Sequence, residues 1–596
     1  MTKTFDLYLI RPTRYDDNGY PVQWWRTIIP SNSLACLNGI AQDAVARQVL
    51  GPDVTVAITA IDEINSRIDT AKIVRRQKET GNPSLVCLVG VQTNQFPRAT
   101  ALGRRFLAGG IPVCIGGFHV SGCLSMLKDL PPDLKQAADD GMSFFAGEAE
   151  EGRFDAVLRD AWAGSLKPVY GDIRRTPNLA GAPLPSMPVE EVRKNINRYS
   201  SFDLGRGCPF ECSFCTIINV QGRKSRFRTA DDLEAIVRES AAQGVNRFFL
   251  TDDNFARNKA WKSFTDRLIE LKEQGFPVRM AIQVDTVAHK IDGFIDACVA
   301  AGADQIFIGL ENINSDSLEL VKKRQNRIED YREMFMAWKK HPVFIICGYI
   351  IGFPNDTDDR IRHDIQVIKD ELPIDAIYLN FLTPLPGSED HRRLYEAGIW
   401  MDPDMNKYDL NHRVTHHGTM SDAEWERAYW DAHRAFYSFA HMTRIIKRMV
   451  ALRSNKKLTT VNRLVAYREG PRLEGVSALE SGYLRLRRRR ERRPELPLEH
   501  PLVFYPKYGW RLFARTGTAV VTYLRLRLIL HRALRDPKRF EYTDAAIAPP
   551  ADPGADDVLV TSSRVTAYAE KRRQRNKANT ASEPAEAKPE AVGMTS

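Results

Sequence analysis

The chain has 596 residues, 43% of them hydrophobic and 27% charged, with a formal net charge of +10. That composition excludes a disordered or collagen-like chain and supplies core for several domains at roughly 150 residues each. Nine cysteines, an odd number at irregular spacing, argue against a disulfide framework and for a reducing compartment.

In chain order, "FDLYLIRP" and "VTVAITAID" read as strands, followed by "SLVCLVGVQ", a helix over 97–108 and "IPVCIGGFH". Strand and helix alternate, which predicts a doubly wound α/β domain over residues 1–170. Such sheets bind ligands at the carboxyl ends of their strands, where the loops "GVQTNQ" and "GGFHVSG" stand. Residues 171–198, with "TPNLAGAPLPSMPVE", read as a linker. From 199 to 400, six strand-like runs ("SFDLGRG", "RFFLTDD", "RMAIQVD", "QIFIGLE", "FIICGYIIG", "AIYLNFLT") alternate with helices, the first opening at Thr229 and stopping at Gly244. Six β/α repeats predict a partial barrel, short of the eight of a closed one. Polar or special residues end nearly every strand: Cys208 to Cys215, Asp252 and Asp253, Gln283 and Asp285, Glu311, Gly352, Thr383. In barrels that end is the catalytic face. Residues 401–544 read as a mostly helical, basic region, with one long helix over 420–450. Beyond that, 545–596 read as a disordered tail rich in Ala, Pro and charge.

The stretch "GRGCPFECSFC" places Cys208, Cys212 and Cys215 within eight residues. Three readings are open. The thiols are buried core, or three ligands of a zinc that lacks a fourth nearby, or the ligands of an iron–sulfur cluster with one iron left free. C-x3-C-x2-C with the aromatic Phe214 before its last cysteine, after the first strand of a six-fold β/α array, resembles the radical S-adenosylmethionine (SAM) enzymes. The resemblance implies that the three cysteines hold a [4Fe–4S] cluster whose open iron chelates SAM, and that SAM is cleaved there to a 5′-deoxyadenosyl radical. It also implies an electron donor such as flavodoxin or ferredoxin. "GYIIG" (Gly348, Ile350, Gly352) is similar to the strand that lies against adenine in that family; where an acidic residue is usual, Asn355 stands and Asp356 follows. "IGLEN" gives Glu311 as a cofactor contact, with Asn312 for the usual Ser, and "LTPLPGS" matches a turn after the last strand. Phe214, Asp252 and Asp253 complete the expected SAM-binding set.

The N-terminal part resembles the cobalamin-binding domains fused ahead of such barrels. "IGGFHVSG" supplies Gly116, Gly117 and His119, and "FFAGEAEEG" supplies Gly147 and Glu148, with Glu150 beyond. Phe118 stands for the usual Pro and Ala149 for Gly, and the D-x-H-x-x-G cobalt-ligand motif is absent, so His119 is not assigned to cobalt. "NKYDLNHRV" and "HHGTMSDAEW" resemble a segment after the barrel in ring-forming and lipid-methylating members. The expected fold is therefore a Rossmann-like cobalamin domain, a partial (β/α)6 radical SAM barrel and a helical C-terminal region. The expected reaction is methylation of an unactivated carbon of an apolar, lipid-like small molecule. Cyclisation or oxidation without methyl transfer is the alternative, with an RNA-modifying radical enzyme behind it. A methylthiotransferase would want a second cysteine triplet, and a plain redox protein a fourth cysteine.

Residues 471–540 carry 17 Lys/Arg against 6 Asp/Glu, so the chain's excess charge lies there, interleaved with aromatics and leucines. Peripheral contact with an anionic membrane fits that pattern; a solvated basic helix packed on the barrel fits as well. No aromatic-rich RNA-recognition motif accompanies it. No stretch reaches the ~18 apolar residues needed to cross a bilayer, and the N-terminus lacks a signal-peptide core. The expected location is cytoplasmic, with peripheral contact at the membrane's inner face.

Overall fold

The structure is a computed structural model and describes residues 3–548. The first part contributes β1 (Lys3–Arg11), β2 (Gln23–Thr27), β3 (Val54–Asp62), β4 (Ser84–Leu88), β5 (Val113–Gly116), β6 (Ser143–Ala146) and β7 (Val169–Gly171). All but β2 form one parallel sheet in the order β3-β1-β4-β5-β6-β7. β1 is buried along its centre on both faces, as a central parallel strand covered by helices must be. The second part contributes β8 (Tyr199–Phe202), the short hairpin β9 (Gly205–Arg206) and β10 (Arg226–Phe227), then β11 (Arg247–Leu250), β12 (Arg279–Val284), β13 (Ala303–Glu311), β14 (Phe344–Ile351) and β15 (Ala376–Phe381). β8 and β11 to β15 make a second six-stranded sheet, ordered by sequence and parallel throughout. Every residue of β14 is buried.

The helix Ala230–Ala242 starts at Thr229 in a capping box with Asp232, and Gly244 (φ +74°) follows its end. The single helix expected over 420–450 is two. Asp422–Phe436 stops at Tyr437, and Ser438 caps a new helix, Phe439–Ala451, through the His441 N–H. A serine whose hydroxyl satisfies a first-turn donor starts a helix more readily than it continues one.

The basic segment is only partly a surface. β16 (Gly482–Leu486) pairs antiparallel with β2, 455 residues earlier by register at Gly482 and Thr27. Arg485 is buried and bonds Asp16 at 2.9 Å, Arg487 pairs with Asp16 at 2.7 Å, and Arg493 pairs with Asp404 at 2.8 Å. Arg485 and Arg487 therefore stitch the C-terminal region to the first sheet's domain, and the Arg493–Asp404 pair braces the C-terminal region itself. The chain then enters a 35-residue helix, Pro501–Arg535. Residues 545–548 are ordered: Ala546 is buried, and Asp544 just before them pairs with Arg448 at 2.8 Å. The rest of the expected disordered tail lies outside the described residues. No described helix is long and apolar enough to cross a membrane.

Candidate active site

The cysteine loop leaves β9 at the carboxyl end of β8. Cys212 is buried, and Cys208 and Cys215 are half-buried. The loop is pinned at each turn. The Cys208 N–H donates to Gly222 O at 3.2 Å, Ser213 N–H to Val321 O at 3.1 Å and Cys215 N–H to Cys212 O at 3.1 Å. Gly207 N–H donates to the Asp253 carboxylate at 3.1 Å. Burial pushes the Cys208 thiol up to about 11 and the Cys215 thiol up to about 12. Burial thus disfavours the thiolate form that a metal takes, and Lys323 works the other way at Cys208. Among the described residues no three His, Cys, Asp or Glu side chains converge as ligands of a single ion would. Three cysteines in one loop are a donor set that an iron–sulfur cluster would take as thiolates.

The expected SAM-binding residues divide into two kinds. Phe214 and Ile350 come together: with Val321, Phe353 and Leu382 they form a small apolar cluster apart from the main core. Glu311 ends β13 in the left-handed region (φ +60°) and pairs with the buried Lys323 at 2.6 Å. Burial works against the charge on Lys323, and Glu311 overrides it, keeping the ammonium's pKa above its ordinary value. That ammonium lies 5.9 Å over the Phe214 ring, and a Cβ on Gly348 would sit 3.5 Å from the Glu311 carboxylate. Gly352 (φ +110°) presses on Trp425, where any Cβ would clash at 2.2 Å. Asp356 accepts the Gly352 and Phe353 N–H groups at 2.8 and 2.9 Å, so the acidic residue one place later than usual fixes this strand end.

Asp252 and Asp253 brace backbone. Asp252 accepts Leu204 N–H at 2.7 Å and the Asn258 amide at 3.1 Å; burial lifts both carboxyls to about 7.

In the first sheet, the loops after β5 and β6 are adjacent, joined where the Ser121 hydroxyl accepts Gly147 N–H at 3.0 Å. Gly116 ends β5. Gly117 (φ +147°) runs so close to the loop after β4 that a Cβ would meet Val91 N at 2.1 Å. His119 is buried, with Nε2 2.8 Å from Asp133, Nδ1 3.3 Å from the Thr93 hydroxyl and its ring 4.4 Å from Phe96. Both ring nitrogens are engaged inside the protein. Glu148 turns to the second sheet: it meets Arg206 at 2.6 Å and Arg226 at 2.6 Å. Asn94 Oδ1, buried in the loop after β4, has no hydrogen-bond partner, an unspent acceptor at the edge where a cobalamin would lie.

Two contacts bring the carboxyl edges of the sheets face to face. Arg206, beside the cysteine loop, is buried among Glu148, Glu150 at 2.8 Å and Asp203 at 3.1 Å. Gly122, in the helix after β5, meets the "LTPLPGS" turn after β15: a Cβ there would stand 2.3 Å from Pro386 O, and one on Gly387 would stand 2.9 Å from the Gly122 Cα. Arg206 and Lys323 were not legible as site residues: two of the Arg206 carboxylates, Glu148 and Glu150, lie in the other sheet's loops, and no motif marks Lys323 as the partner of Glu311.

Residues 202–368 match the radical SAM superfamily. The chain is 26% identical over 342 residues to the bacteriochlorophyllide d C-8(2)-methyltransferase of Chlorobaculum tepidum, covering 55% of this chain and 72% of that protein. It is 23% identical over 309 residues to the hopanoid C-2 methylase of Rhodopseudomonas palustris, covering 51% of this chain and 56% of that one. Among solved structures, the radical S-adenosylmethionine methyltransferase TsrM from Kitasatospora setae, with cobalamin and a [4Fe–4S] cluster bound, has a TM-score of 0.50 at 14% identity, covering 79% of this chain and 95% of TsrM. The cobalamin-dependent radical enzyme OxsB with aqua-cobalamin bound has a TM-score of 0.51 at 12% identity, covering 90% and 82%. At those identities the likeness is one of fold.

Proposed function

From a chain that belongs to the radical SAM enzymes, we propose a cobalamin-dependent methyltransferase that acts on an unactivated carbon of an apolar small molecule. When bound, a [4Fe–4S] cluster with SAM supplies one-electron cleavage of a sulfonium to a 5′-deoxyadenosyl radical, and cobalamin supplies a methyl carrier. Cys208, Cys212 and Cys215 would hold the cluster, and the Gly207–Asp253 hydrogen bond sets the loop that presents them. Phe214, Ile350 and Leu382 wall the site with hydrocarbon, which excludes water from a reactive radical and suits an apolar substrate. The Glu311–Lys323 pair offers one carboxylate and one ammonium to a zwitterionic ligand beside the sulfurs. Gly348 keeps its strand free of a side chain beside Glu311, while Gly352 is packed against Trp425 and its N–H is held by Asp356. Gly116, Gly117 and Gly147 line the facing edge, where cobalamin would lie. His119 and Glu148 act by holding those loops, since their polar atoms are already engaged.

One observation carries this reading: the Gly122–Gly387 approach sets the glycine loops of the first sheet directly against the turn that closes the cysteine site. A methyl carrier on one edge and a radical source on the other would then share one space, and proximity of that kind accounts for much of a bimolecular barrier. Anaerobic reconstitution tests it. The full chain should take up about four irons, retain hydroxocobalamin in equilibrium dialysis and release 5′-deoxyadenosine once reduced. A lipid extract of cells lacking the protein should lose a methylated species. Loss of radical chemistry in none of the three cysteine variants overturns the radical assignment. Release of 5′-deoxyadenosine by a protein that retains no cobalamin overturns methyl transfer and selects cyclisation or oxidation.

A further inference from the structure

The long helix Pro501–Arg535 does not look like a helix packed for its own stability. Its inward side meets the molecule through Phe504, Thr522, Leu526 and Leu530, all buried. Its outward side is apolar. Leu502 is 80% exposed, Trp510 70% and Phe513 72%, and Val520, Val521, Leu524 and Leu528 are exposed as well. Leu502, Trp510, Phe513, Val520, Leu524 and Leu528 fall at intervals of eight, three, seven, four and four. At 3.6 residues per turn this spacing places them on one stripe. The stripe runs nearly the length of a helix about 52 Å long at 1.5 Å per residue. Single exposed apolar side chains are ordinary; a continuous row of large ones marks a surface that something covers.

The charges say what covers it. The helix contains seven Lys/Arg and no Asp or Glu. Arg525, Arg527 and Arg532 are exposed and stand on the shoulders of the stripe rather than within it, as the same helical angles require. A second copy docking along this stripe would bring two acid-free basic helices together, and like charges would oppose the contact. An acid-free row of hydrocarbon flanked by cations has the form of a helix that lies flat in a head-group layer. Its apolar side sinks to the acyl boundary and its guanidinium groups meet anionic phosphates.

We propose that this helix is a peripheral membrane-docking surface, and that its partner is the face of an anionic phospholipid bilayer. The arginine run at 485–493 is not part of that surface. Arg485, Arg487 and Arg493 are held by Asp16 and Asp404. Docking thus belongs to residues 502–532 and leaves the stitch between the chain's two ends intact. The inference stands apart from the reaction: it holds whichever chemistry the cysteine site performs.

Co-sedimentation of the full-length protein decides it, with phosphatidylcholine vesicles that do or do not contain phosphatidylglycerol, at low and at physiological salt. Binding should need the anionic lipid and weaken as salt rises. The double substitution Trp510→Glu, Phe513→Glu, at two of the most exposed side chains, should weaken partitioning at least about tenfold, because each buried aromatic contributes strongly to insertion. Unchanged far-UV circular dichroism and iron uptake would show that the variant still folds. Arg525→Gln with Arg532→Gln should flatten the salt dependence while keeping part of the binding. Wild-type protein that stays in the supernatant at low salt overturns the proposal. So does equal binding by the glutamate variant, retention on RNA without vesicle binding, or a wild-type dimer in light scattering that the glutamate variant turns into monomer.

Discussion

The two six-stranded sheets share parallel strands and short loops at one edge, yet they equip that edge in opposite ways. The second sheet ends its strands in side chains that ligate or carry charge: Cys208 to Cys215, Asp253, Glu311. The first ends its strands in backbone, at Gly116, Gly117 and Gly147, and its His119 and Glu148 side chains there are tied up by Asp133, Thr93, Arg206 and Arg226. One edge offers a ligand particular side-chain atoms, the other offers it backbone and shape. A ligating edge announces itself in sequence, because few residues can do its work. A shape-based edge does not, because many loops would serve.

The comparison breaks at its hardest point with the thiols. Cys208→Ala, Cys212→Ala and Cys215→Ala should each abolish 5′-deoxyadenosine release and lower iron uptake, whereas Cys87→Ala, Cys114→Ala and Cys298→Ala, at buried sites within strands and a helix, should keep both. Next comes the ion-pair knot between the sheets. Arg206→Leu leaves Glu148, Glu150 and Asp203 buried without their cation, which should cost about 3–5 kcal/mol in chemical denaturation. An unchanged midpoint there would mean that the knot does not hold the seam. Gly122→Val sharpens the distinction between the edges. Its side chain would push against Pro386 O, a strain of about 1–3 kcal/mol. It should lower methyl transfer at least about tenfold while 5′-deoxyadenosine release continues, since small misplacements damage a two-centre reaction most. Equal loss of both activities would show that the seam supports the cysteine loop itself.

The smallest effect concerns pH. His412 stands between Asp17, 3.3 Å away, and Asp409, 2.9 Å away. Burial opposes its charge, but the two carboxylates outweigh that and lift its pKa from 6.5 to about 10. A folded-state pKa above the unfolded one stabilises fully below 6.5, and that contribution fades as pH rises through about 10. The melting temperature should therefore fall across that window, and His412→Gln should make the fall shallower. Parallel melting curves for the two proteins would assign the slope to other groups.

Legibility followed the range over which each feature is decided. The six strands of the second sheet and four of the first were readable because apolar runs between turn residues are local; the short β6 and β7 carry too few apolar residues to mark a run. The cysteine loop was readable from its spacing, and Thr229 from its position before an acidic first turn. The break at Ser438 was not, since an apolar periodic stretch with one serine reads as one helix until the cap geometry is seen. Lys323 carries no motif; its meaning comes from Glu311, twelve residues away. Arg206 is the sharpest case: its three carboxylates come from both domains, so no single segment contains its role. Counting arginines likewise found the basic segment but could not tell those held by Asp16 and Asp404 from those left facing outward.

The pairing of β16 with β2 has a consequence for how the molecule is made. Arg485 and its partner Asp16 are 469 residues apart. At roughly 5–20 residues per second of synthesis, the ribosome delivers the arginine roughly 25 to 90 seconds after the aspartate has emerged. Throughout that interval the nascent N-terminal domain carries an unpaired strand edge at Gln23–Thr27 and an acidic pocket with no cation in it. An open edge of that kind recruits other chains. A chain ending before Gly482 would leave β2 without its β16 partner and Asp16 without Arg485 and Arg487.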